Sequence, residues 1–317
     1  MLSYRKFLNT DPPLLTDIWR SRLGQPGLTP SISCEVFEQF VFSKLFFDYP
    51  GLIVAESDGR AVGFAHAGFG ADETESGIST ELGTTCLLIV RPDCDEAAVA
   101  DGLLERSEAY LKQRGAKVLY GGGIRPLNAF YLGLYGGSEM PGVLETDRVA
   151  LHAYASRGYR EIDRTLLYDR ELSGFEAMVD RRQMQIRRQM VVEVALDPPS
   201  RTWWEACTLG MFDLTRFLLV PRTGGPAVAS VTFRRMDLLP TTVHPLSVGL
   251  IDVWVDDAFR RRGLAVFLLS EAFRQFSREG TLKVEVQAMQ HNLAAQGLYR
   301  RLGFRQFGYG SVMRKEE

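Results

Sequence analysis

Apolar positions recur at three- and four-residue spacing over residues 14–23 and 34–47, the mark of amphipathic helices. Thr29-Pro30-Ser31 between them supplies breaking and capping chemistry. Phe37, Phe40, Val41, Lys44 and Leu45 mark one face of the second helix. Residues 52–56 and 61–69 read as strands joined by Ser57-Asp58-Gly59-Arg60, where Asp-Gly supplies the positive φ angles of a tight hairpin. A β-rich run over 84–90 stops at Arg91-Pro92, a long helix over 96–115 ends at a glycine, and 117–120 and 159–172 are further strands.

The second half repeats this order. Strands are expected at 190–196, 217–220, 227–235, 247–255, 282–288 and 304–313, with helices at 202–209, 263–276 and 293–302. An α/β (α+β) fold built twice follows, with 1–175 as one unit, 176–189 as linker and 190–317 as the other. The linker carries the basic run Arg181-Arg182-Gln183-Met184-Gln185-Ile186-Arg187-Arg188, which reads as a solvated helical connector.

The chain has 317 residues, 45% of them hydrophobic, enough for about two domains at roughly 100–200 residues each. A net charge of −2 provides no global positive field for nucleic acid or an anionic membrane, so an anionic ligand must be held locally. Cys34, Cys86, Cys94 and Cys207 are scattered and form no metal-ligand spacing, which points to thiols in a reducing compartment. The first residues carry charge and proline where a signal peptide needs an apolar stretch, and no run is long enough to span a membrane. A cytoplasmic protein without metal is expected.

Chemistry concentrates at Arg260-Arg261-Arg262-Gly263-Leu264-Ala265, between the strand ending at Val255 and a helix whose apolar positions Leu264, Leu268, Ala272 and Phe276 recur every four residues. Such a turn presents unpaired backbone N–H groups and the positive end of a helix dipole beside a glycine that permits close approach. A pyrophosphate fits it, and the arginines suit coenzyme A. Taken alone, the run is equally a charged helix start. A second element lies downstream: Asn292, then Tyr299, then Gly303-Phe304.

Together these signatures resemble the GNAT superfamily, the Gcn5-related N-acetyltransferases. Arg260, Gly263 and Ala265 meet its Arg/Gln-x-x-Gly-x-Gly/Ala pattern, and Asn292 to Phe304 meet its later signature. The resemblance implies two GNAT-like domains, each a mixed, mostly antiparallel sheet with a splayed central strand pair flanked by helices. It implies that backbone groups of Val253 and Val255 pair with the pantetheine arm of acetyl-CoA, the co-substrate. Backbone amides of Arg261, Arg262, Gly263, Leu264, Ala265 and Val266 would hold the pyrophosphate, with Arg260 beside them. Asn292 would position the arm or the amine, and Tyr299 would protonate the departing thiolate. A core aromatic is the competing role for Tyr299. Direct attack by a primary amine, on a small molecule or a peptide, also needs a base. Glu285, Asp252, Asp256 and His291 are placed for it, and Glu285 is assigned. A non-catalytic acyl-CoA-binding module is the alternative, and homodimer formation stays open.

The first half is a worn copy. Asp147, Ala150, Tyr154 and Gly158 repeat the spacing of Asn292, Ala295, Tyr299 and Gly303. Counting from Val90 as from Val255, Asp95 replaces Arg260, Ala98 replaces Gly263 and Ala100 replaces Ala265, while Asp93 and Glu96 add negative charge that repels a pyrophosphate. This half is expected not to hold coenzyme A. Its long insertion, 121–145, interleaves tyrosine and glycine and is either a cleft lining or a packed connector. His66, His152 and His244 read as ordinary hydrogen-bonded residues.

Overall fold

The computed structural model describes residues 1–177, 180–237 and 246–316; His244 lies outside them. The first half runs β1 (Leu2–Lys6), α1 (Pro12–Arg20), α2 (Cys34–Phe37), β2 (Leu52–Ser57), β3 (Arg60–Ala71), β4 (Ile78–Val90), α3 (Glu96–Gln113), β5 (Val118–Gly121), β6 (Val143–Leu144), α4 (Arg148–Ser156) and β7 (Arg160–Glu171). A connecting helix α5 (Arg181–Gln189) leads to β8 (Met190–Leu196), α6 (Trp203–Leu209), β9 (Leu214–Pro221), β10 (Ala229–Arg235), β11 (Ser247–Val255), α7 (Leu264–Arg278), β12 (Lys283–Met289), α8 (Leu293–Arg301) and β13 (Arg305–Glu316).

Local chemistry accounts for most of these elements. Asp58 (φ 51°) and Gly59 (φ 80°) make the β2–β3 hairpin turn. Asp95, Asp147, Asp180, Thr202 and Asn292 each accept a backbone N–H at the start of α3, α4, α5, α6 and α8. The helix expected over 34–47 is shorter: after α2 the chain widens into a π-turn over Glu38–Phe42. The reason is packing in several directions, since Phe42 meets Phe7, Phe47 meets His66 and Phe46 meets Trp204.

The strands form one 13-stranded sheet in the order β1-β2-β3-β4-β5-β13-β7-β12-β11-β10-β9-β8, with β6 on β13. Among the strands of the described residues, β4–β5 and β11–β12 pair in parallel and the others antiparallel. At the centre the two halves exchange their last strands. β13, from the second half, pairs with β5 of the first, and β7, from the first, pairs with β12 of the second. β7 and β13 then pair with each other. The duplicated order expected from sequence is present, but the two sheets are completed by one another and run on as one.

The seam is also apolar: the cluster beneath the first half includes Trp204, Phe212 and Leu214 from the second. Lys44 crosses it to donate to the Cys207 carbonyl at 2.5 Å, and burial lowers its ammonium to about 8. A chain ended at residue 304 would bare the β5 and β7 edges together. It is expected to lose cooperative thermal unfolding of both halves, read by near-UV circular dichroism; an intact first-half transition would contradict the exchange.

Among the described residues no helix is long and apolar enough to cross a membrane.

Candidate active site

β11 and β12 pair from Ser247↔Lys283 to Leu250↔Val286 and then separate. From Ile251 to Val255 the side of β11 that faces β12 has no strand partner. The backbone at Val253 and Val255 therefore offers a free edge into the gap. Past Val255, Asp256 accepts the Ala258 N–H at 2.9 Å and sets a single 3-10 turn, Asp257–Phe259. Arg260 donates from Nε to the Val255 carbonyl at 3.2 Å and pairs with Asp257 at 2.6 Å, which ties the turn to the strand end.

Arg261 (φ 61°) and Gly263 (φ 82°) then turn the chain into α7. No side chain caps α7, in contrast to α3, α4, α5, α6 and α8. The first N–H groups of a 15-residue helix are thus left for an outside acceptor. The side chains of Leu264 and Val266 are buried and anchor the helix, so these residues present backbone and not side chain; Ala265 between them is half-buried. Arg261 and Arg262 are exposed, and Arg262 lies over the Phe259 ring at 5.3 Å. The arrangement fits a pyrophosphate with further anionic groups.

Across the gap stand Ala288, Met289 and Asn292. The Asn292 side-chain oxygen accepts the Ala295 N–H at 3.0 Å, so capping α8 uses its oxygen and leaves its amide N–H groups to a ligand. Tyr299, one face of α8 further on, packs against Tyr168 and Phe304. Burial raises its hydroxyl well above the ordinary tyrosine range, and the carboxylates of Glu139 and Asp252 push it the same way. Among the described residues its hydroxyl has no hydrogen-bond partner. Tyr299 is therefore a core aromatic whose hydroxyl keeps its proton.

A cleft of about 510 Å³ opens beside this gap. Its walls come from both halves: Ile251, Ala288 and Asn292 from the second, Tyr120, Leu127 and Glu139 from the first. Glu139 also lines a neighbouring recess with Asp252, Arg201 and Trp204. It keeps some exposure to the cleft, yet protein crowds it closely enough to push its carboxyl up to about 7, against the pull of Arg125 and Arg234. No described residue hydrogen-bonds or pairs with that carboxylate. It is held in place from behind. The fully buried Arg234 of β10 donates to the Ser138 carbonyl at 2.8 Å and to the Gly137 carbonyl at 2.6 Å, clamping the segment that presents Glu139.

The insertion 121–145 consequently does both things expected of it. Phe130, Tyr131, Leu134 and Tyr135 are buried core, while Leu127 and Glu139 face the cleft. Glu139 itself belongs to no motif. Only the length of the insertion pointed to its neighbourhood, because the property that marks it arises from tertiary crowding.

The other candidate bases are engaged elsewhere. Glu285 stands on the paired stretch opposite Gly249, before the strands separate, with its carboxylate on Lys283 at 2.6 Å. Asp252 pairs with Arg201 at 3.2 Å, Asp256 caps its turn, and the exposed His291 pairs with Asp163 at 2.6 Å.

The equivalent places in the first half are closed. β4 and β5 separate after Thr85↔Gly121, but the Tyr154 hydroxyl donates to the Thr85 carbonyl at 3.0 Å and the Gly122 N–H donates to the same oxygen at 2.9 Å. Only about 10 Å³ remains there. At the helix start Asp95 accepts the Ala98 N–H at 3.1 Å. In helical position Asp95 thus corresponds to Gly263, three residues earlier than counting from Val90 suggests, and the connecting loop is 91–95 where the second half has 256–263. A carboxylate occupies the place where the second half offers bare amides. His66 is a buried core residue bonded to the Tyr131 hydroxyl at 2.9 Å, lowered to about 3 by burial, and His152 is exposed.

Residues 182–304 match the model of the acetyltransferase (GNAT) family. No curated protein matches the chain by sequence. Solved structures share its fold over both halves. A tandem GNAT protein from the clavulanic acid biosynthesis pathway, determined without AcCoA, superposes with a TM-score of 0.69 at 14% identity, over 100% of this chain and 98% of that one. A GCN5-related N-acetyltransferase from Sphaerobacter thermophilus gives 0.64 at 16%, over 99% and 95%. The GCN5-related glucosamine N-acetyltransferase region of a fungal multi-domain GH3 beta-N-acetylglucosaminidase gives 0.72 at 18% over 99% of this chain, which spans 38% of the fungal enzyme.

Proposed function

We propose, on the premise that the match of residues 182–304 to the acetyltransferase (GNAT) family marks an acyl-transfer domain, that the protein transfers an acetyl group from acetyl-CoA directly to a primary amine. The observation that carries the reading is a cleft lined by Asn292 and by Glu139, whose carboxyl is near 7, beside a free strand edge that leads to a bare helix N-terminus; Tyr299 stands close enough for the Glu139 carboxylate to act on its hydroxyl. When bound, acetyl-CoA supplies the electrophilic thioester carbonyl.

The residues of the chain do the remaining work. The free edge of β11 at Val253 and Val255 offers N–H and C=O groups to the amide-bearing arm, as an added strand would. The amides that open α7, with Arg261 and Arg262, take the phosphates, while Arg260, held on Asp257 and the Val255 carbonyl, keeps the turn in shape. Asn292 offers its amide N–H groups from the far side of the gap. Glu139, in place of Glu285, accepts the proton that the amine loses as its nitrogen bonds to carbon; a carboxyl near 7 is matched to that task. Tyr299 donates to the sulfur as the carbon–sulfur bond breaks, its proton being replaced from solvent. No step uses a cysteine: Cys207 lies on α6 and its thiol is raised by burial.

Tyr299→Phe tests the acid. The variant is expected to bind acetyl-CoA as the parent does while thiol release with a panel of amines, glucosamine among them, falls by roughly 10²-fold or more. Binding without turnover of any amine by the parent protein would leave an acyl-CoA-binding module.

A further inference from the structure

The basic connector helix α5 is not accounted for by the site as described. It is docked on α7: Ile186 is buried in the second-half core, Arg187 pairs with Glu271, and Arg187 lies 6.0 Å from the Phe267 ring. Asp180 caps it through the Gln183 N–H at 2.7 Å, which fixes Gln183 one turn from its start. This docking brings two side chains to the turn that opens α7. A Cβ placed on Gly263 would lie 3.0 Å from Arg182 Cδ and 3.6 Å from Gln183 Nε2.

Gln183 is only 6% exposed, and its Nε2 has no hydrogen-bond partner. An unpaired buried donor costs free energy, so its retention beside a phosphate-shaped turn calls for an acceptor that arrives with a ligand. Arg182 is exposed and, like Arg261 and Arg262, has no acidic partner among the described residues. Three uncompensated guanidinium groups and the positive end of α7 therefore meet an orphaned amide at one spot.

We propose that α5 forms the second wall of the phosphate site, with Gln183 donating to a phosphate oxygen of acyl-CoA and Arg182 pairing with its phosphate charge. The connector between the halves is then part of the cofactor grip, and its basic run has a ligand. This inference rests on the coenzyme A reading above.

Calorimetric titration of the full chain with coenzyme A tests it, using Arg182→Ala, Gln183→Met and, as the control for the reading itself, Gly263→Asp. Methionine keeps the length and apolar volume of the buried stem, so Gln183→Met is expected to melt no lower than the parent. Each α5 variant is expected to weaken binding roughly tenfold, as for loss of one charge-assisted hydrogen bond. The Arg182→Ala deficit should shrink at high ionic strength, whereas the Gln183→Met deficit should not. Parent-like binding by both α5 variants, with Gly263→Asp abolishing it, would overturn the role of α5 and leave the coenzyme A reading standing. Absence of binding by the parent protein would bring down the reading and this inference with it.

Discussion

Glu139→Gln is expected to lower kcat for amine acetylation by roughly 10²- to 10³-fold while leaving the affinity for acetyl-CoA unchanged, because the amide cannot take the proton from the amine. Activity of the parent protein is expected to rise with pH through about 7, where Glu139 loses its own proton, and the variant is expected to lose that limb of the profile. Stability should move the other way. Crowding raises the carboxyl in the folded chain above its unfolded value, so the unfolded state ionises first and stability falls with pH between the two, with the full cost present above about 7. Glu139→Gln removes that cost and should raise the melting temperature at pH 8, by up to about 3 kcal/mol of stability with some discount for the partial exposure of the group. A variant less active and more stable separates a catalytic role from damage to the fold. Full activity in Glu139→Gln together with loss in Glu285→Gln would move the base to the strand.

Gly263→Asp should carry the other large effect. It converts the start of α7 into the arrangement found at α3, where Asp95 covers the first amides with its own carboxylate. Asp tolerates positive φ better than most residues and can cap, so the folding cost is limited to about 1–2 kcal/mol. A negative charge at the centre of the phosphate turn is expected to weaken acetyl-CoA binding by at least about 10²-fold, through repulsion and loss of the free N–H groups. The first half carries a carboxylate at the same helical position. It keeps the helix, the strand pair and the tyrosine, and its opening has closed.

The order of elements was legible because hydrophobic period is local. The strands over Met190–Leu196 and Ser247–Val255 fall where the pattern puts them, and the α7 face of Leu264, Leu268, Ala272 and Phe276 is buried as its spacing predicts. The first strand, Leu2–Lys6, was not legible, since its alternation is short and mostly exposed. Neither was the strand exchange. β7 and β13 are both 12-residue antiparallel strands at the ends of similar halves, and nothing in either pattern names its partner.

Within the site, the shape of the turn Arg260–Ala265 could be read because backbone geometry there is tied to residue type: a glycine at positive φ, arginines at a helix start. Glu139 could not, because its raised pKa comes from burial by groups distant in sequence, with Arg125 and Arg234 opposing the shift and Asp252 adding to it. Asp95 caps α3 three residues before the position that counting from Val90 gives for Gly263, because the loop is shorter in the first half.

In the proposed mechanism one half binds the cofactor and the other lends the base. Titration calorimetry of acetyl-CoA into the parent chain and into Gly263→Asp tests it most directly. One site per chain in the parent and none in the variant is the predicted result. Two equal sites in the parent, or a full site retained in Gly263→Asp, would contradict it.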